Sequence, residues 1–252
     1  MKISQWITLG LSGLAIAACG PSGNAGNPSG SGDTAVAGTV LGDVIMGNAD
    51  ASVTIIEYAS ITCPHCADFH EEVGPVLKER AEAGDIQFIF REFPTPPVDI
   101  AMAGFAIARC AGEDKYYDVL DDFFTNQDNL IQAARTGTVG DMLRAVGGRH
   151  GVDATEFSAC TRDDALYNSM IATVEGGQAM GVSGTPTIFM NGERLGREAQ
   201  FAEGMSALID AALGIEPVAE EEAPAEEAAE SEAPEESVED AETTTEEPAP
   251  AE

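Results

Sequence analysis

The feature that most constrains the fold is a strand that runs, within four residues, into a helix carrying two cysteines. Val53 to Ala59, VTIIEYA, is β-branched and apolar along most of its length, as a strand buried on both faces should be. Cys63-Pro64-His65-Cys66 follows it. Pro64 suits the first turn of a helix, where a missing N–H costs no intrahelical hydrogen bond. Beyond it Phe69, Val73, Val76 and Leu77 fall near one face of a single helix, which Ala83-Gly84 ends. Ile86 to Phe93, IQFIFREF, reads as a second buried strand. Strand, helix, strand is a right-handed βαβ unit if the strands are parallel. DVIMG, residues 43–47, adds a candidate edge strand in front.

Past the breaker PTPP, residues 94–97, the pattern turns helical, with segments at Ile100–Cys110, Tyr116–Phe124, Val139–Val146 and Asp163–Met180. Thr161-Arg162-Asp163-Asp164 reads as a capping box for the last of these, with Asp in place of the usual Glu. Strand signals return at Pro186–Met190, and Asn191-Gly192 is a strong hairpin signal. A closing helix is expected from Glu198 to Leu213. The order is β-α-β, a helical insertion over about 97–181, then β-β-α, in an α/β domain spanning 41–215. A domain of roughly 175 residues buries a core without relying on disulfides.

Cys63 falls where a strand ends and a helix begins, so a thiolate there meets the unpartnered N–H groups and the positive end of the helix dipole. Its pKa should drop, which makes it a better leaving group in disulfide exchange. His65 adds a donor, and a charge when protonated. Cys66, one turn deeper, can attack the Cys63 sulfur, so the pair is suited to two-electron redox chemistry. A zinc site is disfavoured, because the remaining domain cysteines, Cys110 and Cys160, are single and far apart in sequence. His70, four residues past Cys66, is expected to point to solvent. No metal and no cofactor are expected.

The two ends read differently from the domain. Residues 1–18 have a basic start at Lys2 and a short apolar run, as an export signal does, and the run is too short for a comfortable bilayer span. Ile16-Ala17-Ala18-Cys19 resembles the lipobox of bacterial lipoproteins, in which the cysteine thiol carries diacylglycerol; the other reading is an ordinary secretory signal. Residues 19–40 then form the anchor cysteine and a Gly/Ser/Asn/Pro-rich tether, with a reach on the order of 25 Å. Residues 216–252 hold sixteen Asp and Glu and no Lys or Arg, half of the formal net charge of −32, and cannot fold alone. This tail reads as a disordered solvating bristle, the alternative being a dock for a basic partner or for divalent cations. Such acidity argues against nucleic acid, whose phosphates need clustered Lys and Arg.

Three stretches, GNADASVTIIEYASITCPHCADFH, RCAGEDKYYDVLDDFFTNQ and GVSGTPTIFMNG, resemble in order the DsbA-like thiol-disulfide oxidoreductases, within the thioredoxin-fold superfamily. The resemblance implies a thioredoxin fold with an inserted helical subdomain and an oxidising Cys63–Cys66 couple that gives its disulfide to reduced or unfolded exported proteins. Thr185-Pro186 matches the family's cis-proline loop, which binds extended client peptide, and Glu57 matches the buried acid that moves protons to and from Cys66. Some members carry a second bridge, so Cys110 and Cys160 are expected to form a structural disulfide, with two free thiols or a secondary redox pair as alternatives. The family also implies a quinone-linked membrane reoxidant like DsbB, and the lipobox at Cys19 adds the expectation of a periplasmic domain lipid-anchored to a bacterial membrane. A monomer is favoured, since no dimerisation region like that of the periplasmic isomerases precedes the domain. A reductase or isomerase of the same fold, or a peptide-binding chaperone or assembly factor, would share these motifs.

Overall fold

The computed structural model describes residues 42–216. The expected signal, Cys19, the tether and all of the acidic tail beyond Glu216 lie outside the described residues. The elements run β1 (Ile45–Gly47), β2 (Val53–Ala59), α1 (Pro64–Glu72), α2 (Gly74–Glu82), β3 (Ile86–Glu92), α3 (Val98–Cys110), α4 (Tyr116–Thr125), α5 (Gln127–Thr136), α6 (Val139–Arg149), α7 (Ala154–Cys160), α8 (Asp164–Ala179), β4 (Thr187–Met190), β5 (Glu193–Arg194), a 3₁₀ turn (Arg197–Gln200) and α9 (Ala202–Leu213). The strands form one sheet in the order β1-β3-β2-β4-β5. β2 and β3 are parallel, from Val53 opposite Ile86 to Ala59 opposite Glu92, while the remaining pairs are antiparallel. This is a thioredoxin fold, with the helices α3–α8 inserted between β3 and β4.

The strand alternation turns the side chains of β2 to two faces of the sheet, each with its own core. Val53, Ile55 and Ala59 join Phe88 and Phe90 of β3 in the main core, which α1–α4 and α9 cover. Ile56 and Tyr58 face the other way and meet Ile89, Val182 and Phe189. Glu57 therefore projects into the main core, opposite Phe90 in the parallel register. On the opposite face, α8 comes close to the sheet at Gly177, where an added Cβ would sit 2.8 Å from the Tyr58 ring. A side chain larger than hydrogen would push this helix off the sheet. The hairpin after β4 turns at Asn191 and Gly192, with φ of 49° and 84°, the left-handed conformation those two residue types tolerate best.

The structure departs from the sequence expectations in four places. The helix after the cysteines is two helices that break at Val73, because Pro75 has no N–H to give to the carbonyl of Glu71 and its ring crowds that carbonyl. Helices α5 and α7 were not expected at all. α5 is mostly polar, and of its residues only Gln127 and Leu130 are buried; α7 is seven residues long and buries only Cys160. The capping box belongs to α7, where the Asp153 carboxylate accepts from the amides of Thr155 and Glu156 and Glu156 reaches back to the Asp153 amide. Asp163 alone caps α8, and the Thr161 hydroxyl instead donates back to the Phe157 carbonyl. Finally, the closing helix starts at Ala202, after a separate 3₁₀ turn.

Candidate active site

β2 delivers the chain to a buried turn, Ser60-Ile61-Thr62, from which α1 departs. Cys63 is the N-cap of α1 and Pro64 its first residue, so the Cys63 sulfur lies beside the free amides of the first turn. The turn is held from three directions. The Ser60 hydroxyl accepts from the amides of Thr62 and Thr95, and the Thr62 hydroxyl donates to the Thr95 carbonyl at 2.8 Å. The Gln127 side-chain amide, from the start of α5, donates to the carbonyls of Ile61 at 2.9 Å and Cys63 at 3.0 Å. On the third side, the Thr185 carbonyl lies 3.5 Å from Cys63 Sγ, although the two residues are 122 apart in the chain. The Thr185-Pro186 peptide bond is cis.

The two thiols occupy unlike environments. Cys63 keeps 8% of its surface exposed and Cys66 keeps none. Cys63 is lowered to about 5, first by a hydrogen bond from the Cys66 thiol, against the opposing effect of burial, and then by Thr185 and the backbone amides of Cys66 and His65. Burial pushes the Cys66 thiol far up, and its bond to Cys63 and the charges of Glu57 and Cys63 push it further. Its sulfur accepts from the Ser60 amide at 3.5 Å. Glu57, buried on β2, is raised to about 8, by desolvation first and then by repulsion from the Cys63 thiolate. The arrangement stabilises a thiolate at Cys63, keeps Cys66 protonated, and puts beneath them a carboxyl group that changes charge near neutral pH.

His65 reaches Cys63 through its backbone amide, while its exposed ring faces Asp68, with Nδ1 3.5 Å from Oδ2. His70 is only partly turned to solvent. Its ring is tucked between α1 and α4, Nε2 3.0 Å from Asp121 Oδ1, and stacks on Phe124 at 4.8 Å. Cys110 and Cys160 are joined by a disulfide, with Cα atoms 6.3 Å apart, that ties the end of α3 to the end of α7. Among the described residues no cluster of three or more His, Cys, Asp or Glu is placed to hold a metal ion. Beside the cysteines, a depression of about 650 Å³ runs from His65 and Asp68 past Thr185 and Pro186 to Arg197 and the half-exposed Phe201.

Sequence reasoning missed Gln127 and the Ser60-Thr62-Thr95 latch. Gln127 opens an unremarkable polar helix, and only the fold reveals that its amide is buried against the active-site turn. A signal did exist at the latch: Ser60 and Thr62 flank an isoleucine immediately after a buried strand, where small hydroxyl side chains satisfy backbone groups that leave the ladder.

A cis-proline loop against a CxxC at a helix N-terminus, on a β-α-β and β-β-α frame with a helical insertion, defines a DsbA-like protein of the thioredoxin-fold class. The comparisons agree: a thioredoxin family profile matches residues 39–211, and the chain belongs to that family. A Rickettsia bellii protein named as a protein-disulfide oxidoreductase is 30% identical over 173 residues, covering 68% of this chain and 64% of the relative. The chain thus spans less than two thirds of that relative's length. Disulfide bond formation protein D of Bacillus subtilis is 25% identical over 189 residues, 70% of this chain and 81% of that protein. The crystal structure of Wolbachia pipientis alpha-DsbA1 shares the fold at a TM-score of 0.62 and 22% identity, covering 68% of this chain and 91% of that one.

Proposed function

We propose that this protein is a thiol-disulfide oxidoreductase that donates the Cys63–Cys66 disulfide to exported client proteins. The observation that carries the reading is the inequality of the two cysteines: Cys63 sits at the helix N-terminus against Thr185, and Cys66 is wholly buried with Glu57 beneath. A client thiolate attacks Cys63 Sγ, the Cys63–Cys66 bond breaks, and Cys66 leaves with the electron pair, taking a proton from Glu57. A second client thiolate then attacks the client sulfur of the mixed disulfide and expels Cys63 as a stabilised thiolate. Two electrons have passed from client to enzyme. The cis-proline loop and the depression beside it are suited to an extended client segment, whose backbone can pair with the loop.

The domain is exported and lipid-anchored, held at a bacterial membrane by Cys19 on its tether, and is reoxidised by a quinone-linked membrane protein like DsbB. Cys110–Cys160 serves as a structural bridge, and the domain works as a monomer. No helix among the described residues is long and apolar enough to cross a membrane. Cys66→Ala removes the resolving thiol; with its Cys63 carried as the mixed disulfide with glutathione, attack by a reduced client expels glutathione and client–Cys63 mixed disulfides should accumulate on non-reducing gels, whereas Cys63→Ser should form none. Absence of trapped complexes with Cys66→Ala would sink the scheme. Equilibration of Cys63–Cys66 with glutathione buffers separates the oxidase from a reductase of the same fold: a poise near that of thioredoxin would favour the reductase.

A further inference from the structure

The main core is not filled around Glu57. A cavity of about 370 Å³ lies between α1, α2, α4 and the sheet; Glu57 is on its floor and Phe69, Leu77, Phe88 and Phe90 form much of its wall. Glu57 is 5% exposed and neither of its oxygens is hydrogen-bonded among the described residues. A buried carboxyl group without a protein partner that faces open space is positioned for water. At the rim of the cavity stand His70 and Asp121, with Glu71, Lys78 and Asp118 as the other charged groups. The hydroxyl of Tyr117, which also lines the cavity, is already committed to the carbonyls of Val44 and Phe88.

His70 occupies a partition. Together with Glu71 and Phe124 it also lines an outer depression of about 470 Å³ that reaches Asp68 and Asp128 near the active-site turn. The ring is fixed by Asp121 at Nε2 and by stacking on Phe124 at 4.8 Å with an interplanar angle of 23°. Asp121 is 45% exposed, so the pair stands where this space meets the protein surface. Among the side-chain types at the rim, an imidazole is the one built to relay a proton, because one ring nitrogen can accept while the other donates.

We propose that the His70–Asp121 pair is the proton gate between solvent and Glu57, passing protons through the cavity that all three residues line. This rests on Glu57 serving Cys66 as proposed above. In client oxidation Glu57 gives its proton to the departing Cys66 sulfur and is left as a carboxylate in an apolar cavity. The second client thiol releases its proton to solvent, and an equivalent proton re-enters through His70 to restore Glu57. In reoxidation the direction reverses: Glu57 first releases its proton outward through His70, and the resulting carboxylate then takes the Cys66 proton, which leaves Glu57 protonated for the next cycle. The gate alters rates and leaves the redox equilibrium alone, because it adds no charge contact to either sulfur.

The test is multiple-turnover oxidation of a reduced dithiol peptide by the full-length protein with glutathione disulfide as terminal oxidant, in dilute buffer near neutral pH, with His70→Gln, His70→Ala and Asp121→Asn. Each should slow turnover about tenfold, the effect being modest because water still enters the cavity. The glutathione equilibrium of Cys63–Cys66 should stay at its wild-type value. Added imidazole should accelerate His70→Ala well beyond any effect on wild type, a rescue that a structural defect would not show. Unchanged rates in His70→Gln and Asp121→Asn, or a loss that imidazole does not relieve in His70→Ala, would overturn the gate. Glu57→Gln separates the two layers. It should be slow and insensitive to imidazole; wild-type rates in Glu57→Gln would mean that the assignment of Glu57 itself fails.

Discussion

Acidification from pH 7 to pH 4 should remove most of the stability that the Cys63 thiolate gives the reduced protein and that the oxidised protein lacks. In the reduced fold Cys63 titrates at about 5, whereas an unfolded cysteine titrates near 8.5. A group whose folded pKa is depressed contributes stability that is complete above the unfolded pKa and lost as pH falls through the folded one. The window therefore runs from about 8.5 down to about 5. At pH 7 about two of the pKa units are realised, worth about 3 kcal/mol at 1.36 kcal/mol per unit. At pH 4 the thiol is protonated in both states and the contribution is close to zero. Cys66, held up by burial, stays a thiol in this window. Burial raises Glu57 in both redox forms and drops out of the difference; repulsion from the Cys63 thiolate acts only in the reduced form and adds little while Glu57 stays protonated, below about 8. The assay is urea unfolding of oxidised and reduced protein at each pH, read as the difference between the two free energies. A difference that changes by less than about 1 kcal/mol between pH 7 and pH 4 would refute the thiolate reading of Cys63.

Two further perturbations probe the supports of the site. Gln127→Ala leaves the Ile61 and Cys63 carbonyls without their side-chain donor, which should cost about 1–3 kcal/mol in urea unfolding. It should also move the Cys63 thiolate titration, followed by ultraviolet absorbance, to higher pH as the turn loosens; an unmoved titration would reduce Gln127 to packing alone. Replacing Cys110 and Cys160 together by Ala opens a loop closed over a sequence separation of 50. The chain-entropy estimate is a loss of up to about 4 kcal/mol, and peptide oxidation at low temperature should persist, since the bridge ties α3 to α7 away from the turn. Loss of exchange in a folded double variant would instead give that pair a redox role.

The elements with strong local signals were legible in the sequence. A β-branched run, a proline after Cys63 and Asn191-Gly192 each act within a few residues, and the structure has β2, the start of α1 and the β4–β5 turn where those signals lie. Helices α5 and α7 were not legible, because a helix that buries two residues or one carries almost no apolar periodicity; α7 announces itself only through Asp153 and Glu156. The break at Val73 could have been read from Gly74-Pro75, since the lost hydrogen bond is a property of proline alone. The surroundings of His70 were not legible for a different reason. Its position on α1 was right, but whether that face meets water depends on α4, some fifty residues later in the chain, which brings Asp121 and Phe124 against it.

By itself, the sequence determined that a dithiol stands between a buried strand and a helix, that a βαβ unit encloses it, and that a helical insertion precedes a second β-β-α segment. These follow from hydrogen-bond geometry and apolar period, which are local. Tertiary structure alone decided that Thr185 lies against Cys63, that Gln127 clamps the turn, and that Cys66 is wholly buried while Glu57 faces a cavity. The reason is that desolvation and contact between distant segments have no local signature. How easily each cysteine ionises is set by what the rest of the chain folds around it.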